Sequence, residues 1–162
     1  MKTRFIFILP ILLLLSGCAA RVKTVTALPA GVSQTEVQNW DSAVAALQKI
    51  AVSTSTLRQA VISLNKSGIF PDSSAYVGTL MGIGRVDELQ IETAKILQSV
   101  PSDWSLSTQN KVLSEMQQIQ AILTNLTNTG IVGIKDSASQ SQVTTLINNL
   151  AATVSLVISL TT

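Results

Sequence analysis

Residues 33–68 read SQTEVQNWDSAVAALQKIAVSTSTLRQAVISLNKSG, and their spacing decides the fold. Ser33-Gln34-Thr35-Glu36 has the form of a capping box, in which the Ser33 hydroxyl takes the Glu36 amide and the Glu36 carboxylate reaches back. Val32 and Val37 are placed for the flanking hydrophobic staple. From there Val37, Trp40, Val44, Leu47, Ala51, Leu57, Val61 and Leu64 recur at three and four, the apolar stripe of a helix of about nine turns. Thr54 falls inside the stripe, so its hydroxyl needs a local hydrogen bond. The helix is expected to stop near Asn65-Lys66-Ser67-Gly68, because Gly68 suits a left-handed cap and Pro71 follows.

The same period continues outward. A second helix starts after Asp72 or Ser73, with Tyr76, Val77, Leu80, Ile83, Val86, Leu89, Ile91, Ala94, Ile96 and Leu97 as its apolar positions, and ends before Pro101. Gly78, Gly82 and Gly84 interrupt it, each costing up to about 1 kcal/mol relative to Ala in a helix interior. That predicts either a kink near residues 81–85 or very close packing against a neighbour. A third helix runs from Ser105 or Ser107 to Asn128 through Val112, Met116, Ile119, Leu123 and Leu126. A fourth runs from Asp136 to Leu160, capped by Asp136 or Ser137, through Val143, Leu146, Ile147, Leu150, Val154, Val157 and Ile158. No stretch alternates as a strand does. The expected fold is all-α, an antiparallel four-helix bundle with up-down-up-down connections over residues 33–162. A three-helix bundle with one peripheral helix, or a long hairpin that dimerises, would also satisfy the pattern.

The first 18 residues have a different character. Lys2 and Arg4 precede an apolar run of eleven, residues 5–15 (FIFILPILLLL), and Ser16-Gly17-Cys18 follows. Eleven residues fall short of a membrane span, which needs about 20, and suit the apolar region of a secretory signal. Leu15-Ser16-Gly17-Cys18 resembles the lipobox of bacterial lipoproteins: a branched residue, two small ones, then cysteine. The resemblance implies cleavage before Cys18, a diacylglyceryl thioether on its sulfur, and often a further acyl chain, palmitate or similar, on its new amino group. An ordinary signal peptide, or an uncleaved anchor, is the plainer alternative. Two or three acyl chains exceed what stable anchoring requires. Ala19 and Ala20 stand where lipoproteins kept at an inner membrane often carry Asp, so the resemblance places the protein at the outer membrane, facing the periplasm, in a cell with two membranes. Residues 18–32, with Pro29 and Gly31 and no sustained period, read as a flexible tether reaching up to about 50 Å.

Removing residues 1–17 takes away Lys2 and Arg4, so eleven basic residues become nine against nine acidic and the formal charge falls from +2 to zero. No basic run or aromatic stacking platform remains, which argues against a nucleic-acid partner. The rest of the surface is neutral: Ser, Thr, Asn and Gln supply 53 of the 145 remaining residues against 18 charged ones, so steering of a charged partner is not expected. With no histidine and one cysteine, Ser-His-Asp and Cys-His catalysis, His-based zinc or iron sites, internal disulfides and cysteine cages are excluded.

The remaining motifs weigh toward plain structure. Ser63-Leu64-Asn65-Lys66 matches the S-x-x-K of penicillin-binding proteins and β-lactamases, but Ser102-Asp103 is followed by Trp104 and no K-T-G exists, so Lys66 reads as a helix-end cation. Gly78-Thr79-Leu80-Met81-Gly82-Ile83-Gly84 lacks the strand before it and the Gly-Lys-Ser/Thr after it that a phosphate loop needs. Asp87, Glu88 and Glu92 form the one acidic cluster. Nothing there resembles a calcium loop, and Arg85 and Lys95 offer ordinary ion pairs. No catalytic residue, cofactor or metal is therefore expected. Of more interest are the apolar residues of the two connections far from the tether: Ile69 and Phe70 in the first, Ile131, Val132 and Ile134 in the third. Phe70, Ile131 and Val132 would either form a docking tip for a partner or fold inward and plug the end of the bundle. Trp40 and Trp104 are expected near the membrane-near end, as core anchors or interface residues.

The function expected from these features is that of a lipid-anchored, non-enzymatic binding or scaffold module of the cell envelope. Its contacts would be membrane lipid through acylated Cys18 and an envelope protein. The alternative is a membrane-active lipoprotein of the exclusion or lysis type, inserting either the apolar hairpin of residues 119–134 or the segment 146–160. Each of those segments, at about fourteen residues with Asn or Thr inside, is short for a span.

Overall fold

The computed structural model describes residues 33–71, 73–98 and 104–162. The stretches read from sequence as signal peptide and tether, Cys18 between them, and Asp72 as a cap lie outside the described residues. Four α-helices follow one another: α1 (Gln34–Lys66), α2 (Ser73–Gln98), α3 (Leu106–Asn125) and α4 (Ser137–Leu160). No strand occurs among the described residues. A single π-helical turn, Leu126–Gly130, prolongs α3.

α1, α3 and α4 begin where their caps predict. The Ser33 amide donates to Glu36 Oε2 at 2.7 Å and the Glu36 amide to Ser33 Oγ at 3.2 Å, so both halves of the capping box form. The Thr108 amide donates to Ser105 Oγ, and the Ser139 amide to Asp136 Oδ2 at 2.8 Å. α1 ends at Gly68, whose φ of +74° puts it in the left-handed region that glycine enters without a Cβ penalty.

The helices form a bundle around one apolar core. α1 packs on α2 and α4, and α3 packs on α2 and α4. The core stripe of α1 is Ala43, Ala46, Leu47, Ile50, Thr54, Leu57 and Val61, with Val44 and Leu64 half-buried at its edge. α3 contributes Val112, Met116, Ile119 and Leu123, and α4 contributes Val143, Ile147, Leu150, Val154 and Val157. Four threonines are buried, and in three of them the hydroxyl donates at 2.8 Å to the carbonyl four residues back: Thr54 to Ile50, Thr79 to Ala75 and Thr93 to Leu89. These local bonds remove the penalty of burying a hydroxyl.

α2 departs from expectation on one face. Ile83, Val86, Leu89 and Leu97 are buried as the period requires, but Val77 and Ile91 are exposed, as is Met81. α2 is one unbroken helix, and the close packing suggested by its glycines is found at Gly82, where an added Cβ would lie 2.9 Å from Leu126 Cδ2. Around Gly78 and Gly84 there is open space.

Candidate functional site

The first and third connections come together at one end of the bundle. Ile69 and Phe70 turn back on α1, their amides donating to Leu64 O at 3.0 and 3.1 Å, and the Asn65 side-chain amide donates to Phe70 O at 2.9 Å. The Lys135 amide donates to Ile69 O at 3.0 Å and ties the third connection to the first. Phe70 is fully buried, meeting Tyr76 edge to face with ring centroids 5.8 Å apart. Gly133 closes over it: a Cβ there would stand 2.7 Å from Phe70 Cε2. Ile131 and Ile134 are buried beside it.

Of the two alternatives for these three residues, docking tip or plug, Phe70 and Ile131 take the second. Phe70 and Ile131 fold inward and plug the bundle end, because a ring of this size gains more from burial than a neutral turn gains from displaying it. Val132 alone of the three faces solvent, at 69% exposure. No sequence signal separated Val132 from Ile131, which stand side by side in one turn.

Next to the plug, α2 and the end of α3 frame a solvent-open groove of about 450 Å³. Ser74, Gly78 and Gly82 form one wall, and Asn125, Leu126 and Thr129 the other. Its floor is fixed by Thr79, whose hydroxyl lies 2.8 Å from Ala75 O and 3.0 Å from Gly130 O, so one proton serves α2 and the π-turn together. Gly130 permits this approach, since a Cβ would fall 2.8 Å from Thr79 Oγ1. Gly78 and Gly82 recover a role here that a phosphate-loop reading does not supply. Gly82 lets α3 come close, and Gly78 leaves the gap.

The groove lining contains no ionisable residue. The charged groups stand elsewhere, and four of them pair in two bridges. Arg58 of α1 pairs with Asp87 of α2, an inter-helix bridge that the acidic cluster did not suggest, since Asp87 looked like part of a solvated face. Arg85 pairs with Glu88 at 2.9 Å, and the Glu88 hydrogen bond raises the guanidinium further above its ordinary value. Glu115 of α3 points one carboxylate oxygen into the protein without a hydrogen-bond partner. Among the described residues no group of carboxylate, thiol or imidazole side chains could hold a metal ion. Ser63 and Lys66 sit at the last turn of α1, and the Ser63 carbonyl accepts from the Ser67 amide. Trp104 is buried, and the half-buried Trp40 donates its indole N–H to Leu97 O at 3.2 Å.

No protein-family model matches the chain, and neither a curated protein nor a solved structure does.

Proposed function

We propose that the protein is a lipid-anchored, non-enzymatic binding or scaffold component of a bacterial cell envelope. The observation that carries the reading is the sequence of features in the first eighteen residues: Lys2 and Arg4, an eleven-residue apolar run, then Leu15-Ser16-Gly17-Cys18 with the chain's one cysteine. Acylated Cys18 holds the bundle to membrane lipid, at the periplasmic face of the outer membrane where the cell has two, and the partner is another envelope protein.

The helices in this reading alternate in direction, up-down-up-down. Three contacts support it. Trp40 near the start of α1 bonds to Leu97 near the end of α2; Thr79 near the start of α2 bonds to Gly130 after α3; and the third connection bonds to the first through Lys135 and Ile69. The tether then enters at the end holding Trp40 and Trp104, and the plug stands at the far end.

Labelled palmitate fed to growing bacteria tests the anchor: it is incorporated into the full-length chain and lost in Cys18→Ser. Photo-crosslinking from Met81 and Val132, both exposed, tests the binding role; a discrete adduct to one envelope protein is expected, and its absence from both positions in acylated protein removes the scaffold reading.

A further inference from the structure

The charges of this bundle are unevenly shared. The water-facing side of α1 carries Asp41, Lys49 and Lys66, and that of α2 carries Arg85, Glu88, Glu92 and Lys95. α4 carries none. Over its 24 residues no side chain is ionisable, and its outward positions include Ser141, Thr145, Asn149, Ala152, Leu156 and Ser159. By length and composition α4 is apolar enough to cross a membrane, and it turns Val143, Ile147, Leu150, Val154 and Val157 to the bundle as its neighbours turn theirs. At 1.5 Å per residue its 24 residues extend about 36 Å, more than the roughly 30 Å of a hydrocarbon core. The segment weighed from sequence, 146–160, understated it by nine residues. The other candidate, 119–134, is no hairpin: it is the end of α3, the π-turn and the third connection, with Ile119, Leu123, Leu126, Ile131 and Ile134 all buried.

Lacking charge does nothing for a helix whose outer side meets only water, where Lys and Glu are the favoured residues. For a helix that enters lipid it is a requirement. We infer that α4 is a bilayer-inserting helix, held in the bundle by its apolar face and able to leave it for the membrane to which the chain is anchored. Its apolar face exchanges core neighbours for acyl chains of similar polarity, while Leu156 gains a shielded environment. Its backbone amides and carbonyls are already paired within the helix, as lipid demands. The nearest charges, Lys135 and Asp136, precede its first turn and stay in water. Asn148 and Asn149 need amide partners in the membrane, which a second inserted helix supplies. The faces of α1 and α3 that α4 covers must then close on each other.

The inference rests on the lipid anchor for its bilayer, so the experiment reads the two separately. Full-length acylated protein carrying a fluorescent nitrobenzoxadiazole probe on Leu156→Cys is reconstituted on vesicles of phosphatidylethanolamine and phosphatidylglycerol, with Val52→Cys on α1 as the control; both positions are exposed. The 156 probe should shift to the blue and resist dithionite, and the 52 probe should remain accessible. Adding Ala152→Lys, an outward position in the bundle, should leave the thermal midpoint without vesicles unchanged and lower the ratio of protected to unprotected probe about a hundredfold. A 156 probe that dithionite reaches on vesicle-bound, acylated protein overturns the insertion and keeps the anchor. Protection without vesicles, or equal protection in Ala152→Lys, also overturns it, pointing to a protein covering α4. Protection in protein whose mass shows no acyl chain keeps the insertion and removes the anchor.

Discussion

The plugged end and the groove beside it use the same residue to opposite effect. At Gly130 and Gly133 the missing Cβ is filled from outside, by the Thr79 hydroxyl and the Phe70 ring. At Gly78 and Gly84 nothing moves in, and the first of these leaves a groove open to water. A glycine in a sequence therefore does not announce its purpose. Whether it closes a contact or leaves a gap depends on what the partner segment brings, and here a single aromatic residue makes the difference.

Phe70 gives the largest test of that contrast. Phe70→Ala should cost about 3–5 kcal/mol, because a fully buried ring leaves a cavity under Gly133 that the tied connections cannot collapse into. Val132→Ala, one turn away but exposed, should stay within about 0.5 kcal/mol. Urea unfolding of both variants measures the difference; near-equal losses would mean that the end is not plugged as described.

The glycines themselves form the next series. Gly133→Ala drives a methyl into the rigid Phe70 ring and should destabilise by about 1–3 kcal/mol. Gly82→Ala meets the terminal methyl of Leu126, which can rotate, so its loss should be smaller. Gly78→Ala meets nothing, and replacing a helix-interior glycine should there stabilise by up to about 1 kcal/mol. The order Gly133, Gly82, Gly78 in thermal midpoints, from loss to gain, is the expected outcome. A loss at Gly78 would show that the groove is closed by something at that position.

Much of this was legible in the chain. The capping box at Ser33, the caps at Ser105 and Asp136, the three-and-four spacing and the Gly68 stop gave the helices to within a few residues, because each depends on neighbours within one turn. The interior Thr54 was read as needing a local bond and makes one to Ile50. What failed depends on partners distant in sequence. Val77 and Ile91 fit the helical period as well as Val86 does, but α2 packs against α1, α3 and the π-turn, and Val77 and Ile91 stay exposed. Asp87 sits in an acidic run, and only the approach of α1 brings Arg58 to it. The groove needed Gly130, 48 residues beyond Gly82, and no local signal joins those two positions.

The smallest expected effect separates the two ends of the bundle by acid. Hydrogen bonds from the Ser33 amide and then its hydroxyl hold the Glu36 carboxyl below its ordinary value, and those from the Ser139 hydroxyl and then its amide do the same for Asp136. A carboxyl whose folded value is depressed contributes stability that is complete above its unfolded value, near pH 4, and is lost as pH falls through the folded one. Both groups are exposed, so each contribution is small. Asp136→Asn keeps an acceptor for the Ser139 amide but has no proton to gain. Between pH 6 and pH 2 its thermal midpoint should fall less steeply than that of the unaltered chain, and Glu36→Gln should do likewise at the tether end. If Asp136→Asn falls as steeply as the parent, the α4 cap does not contribute to the acid response.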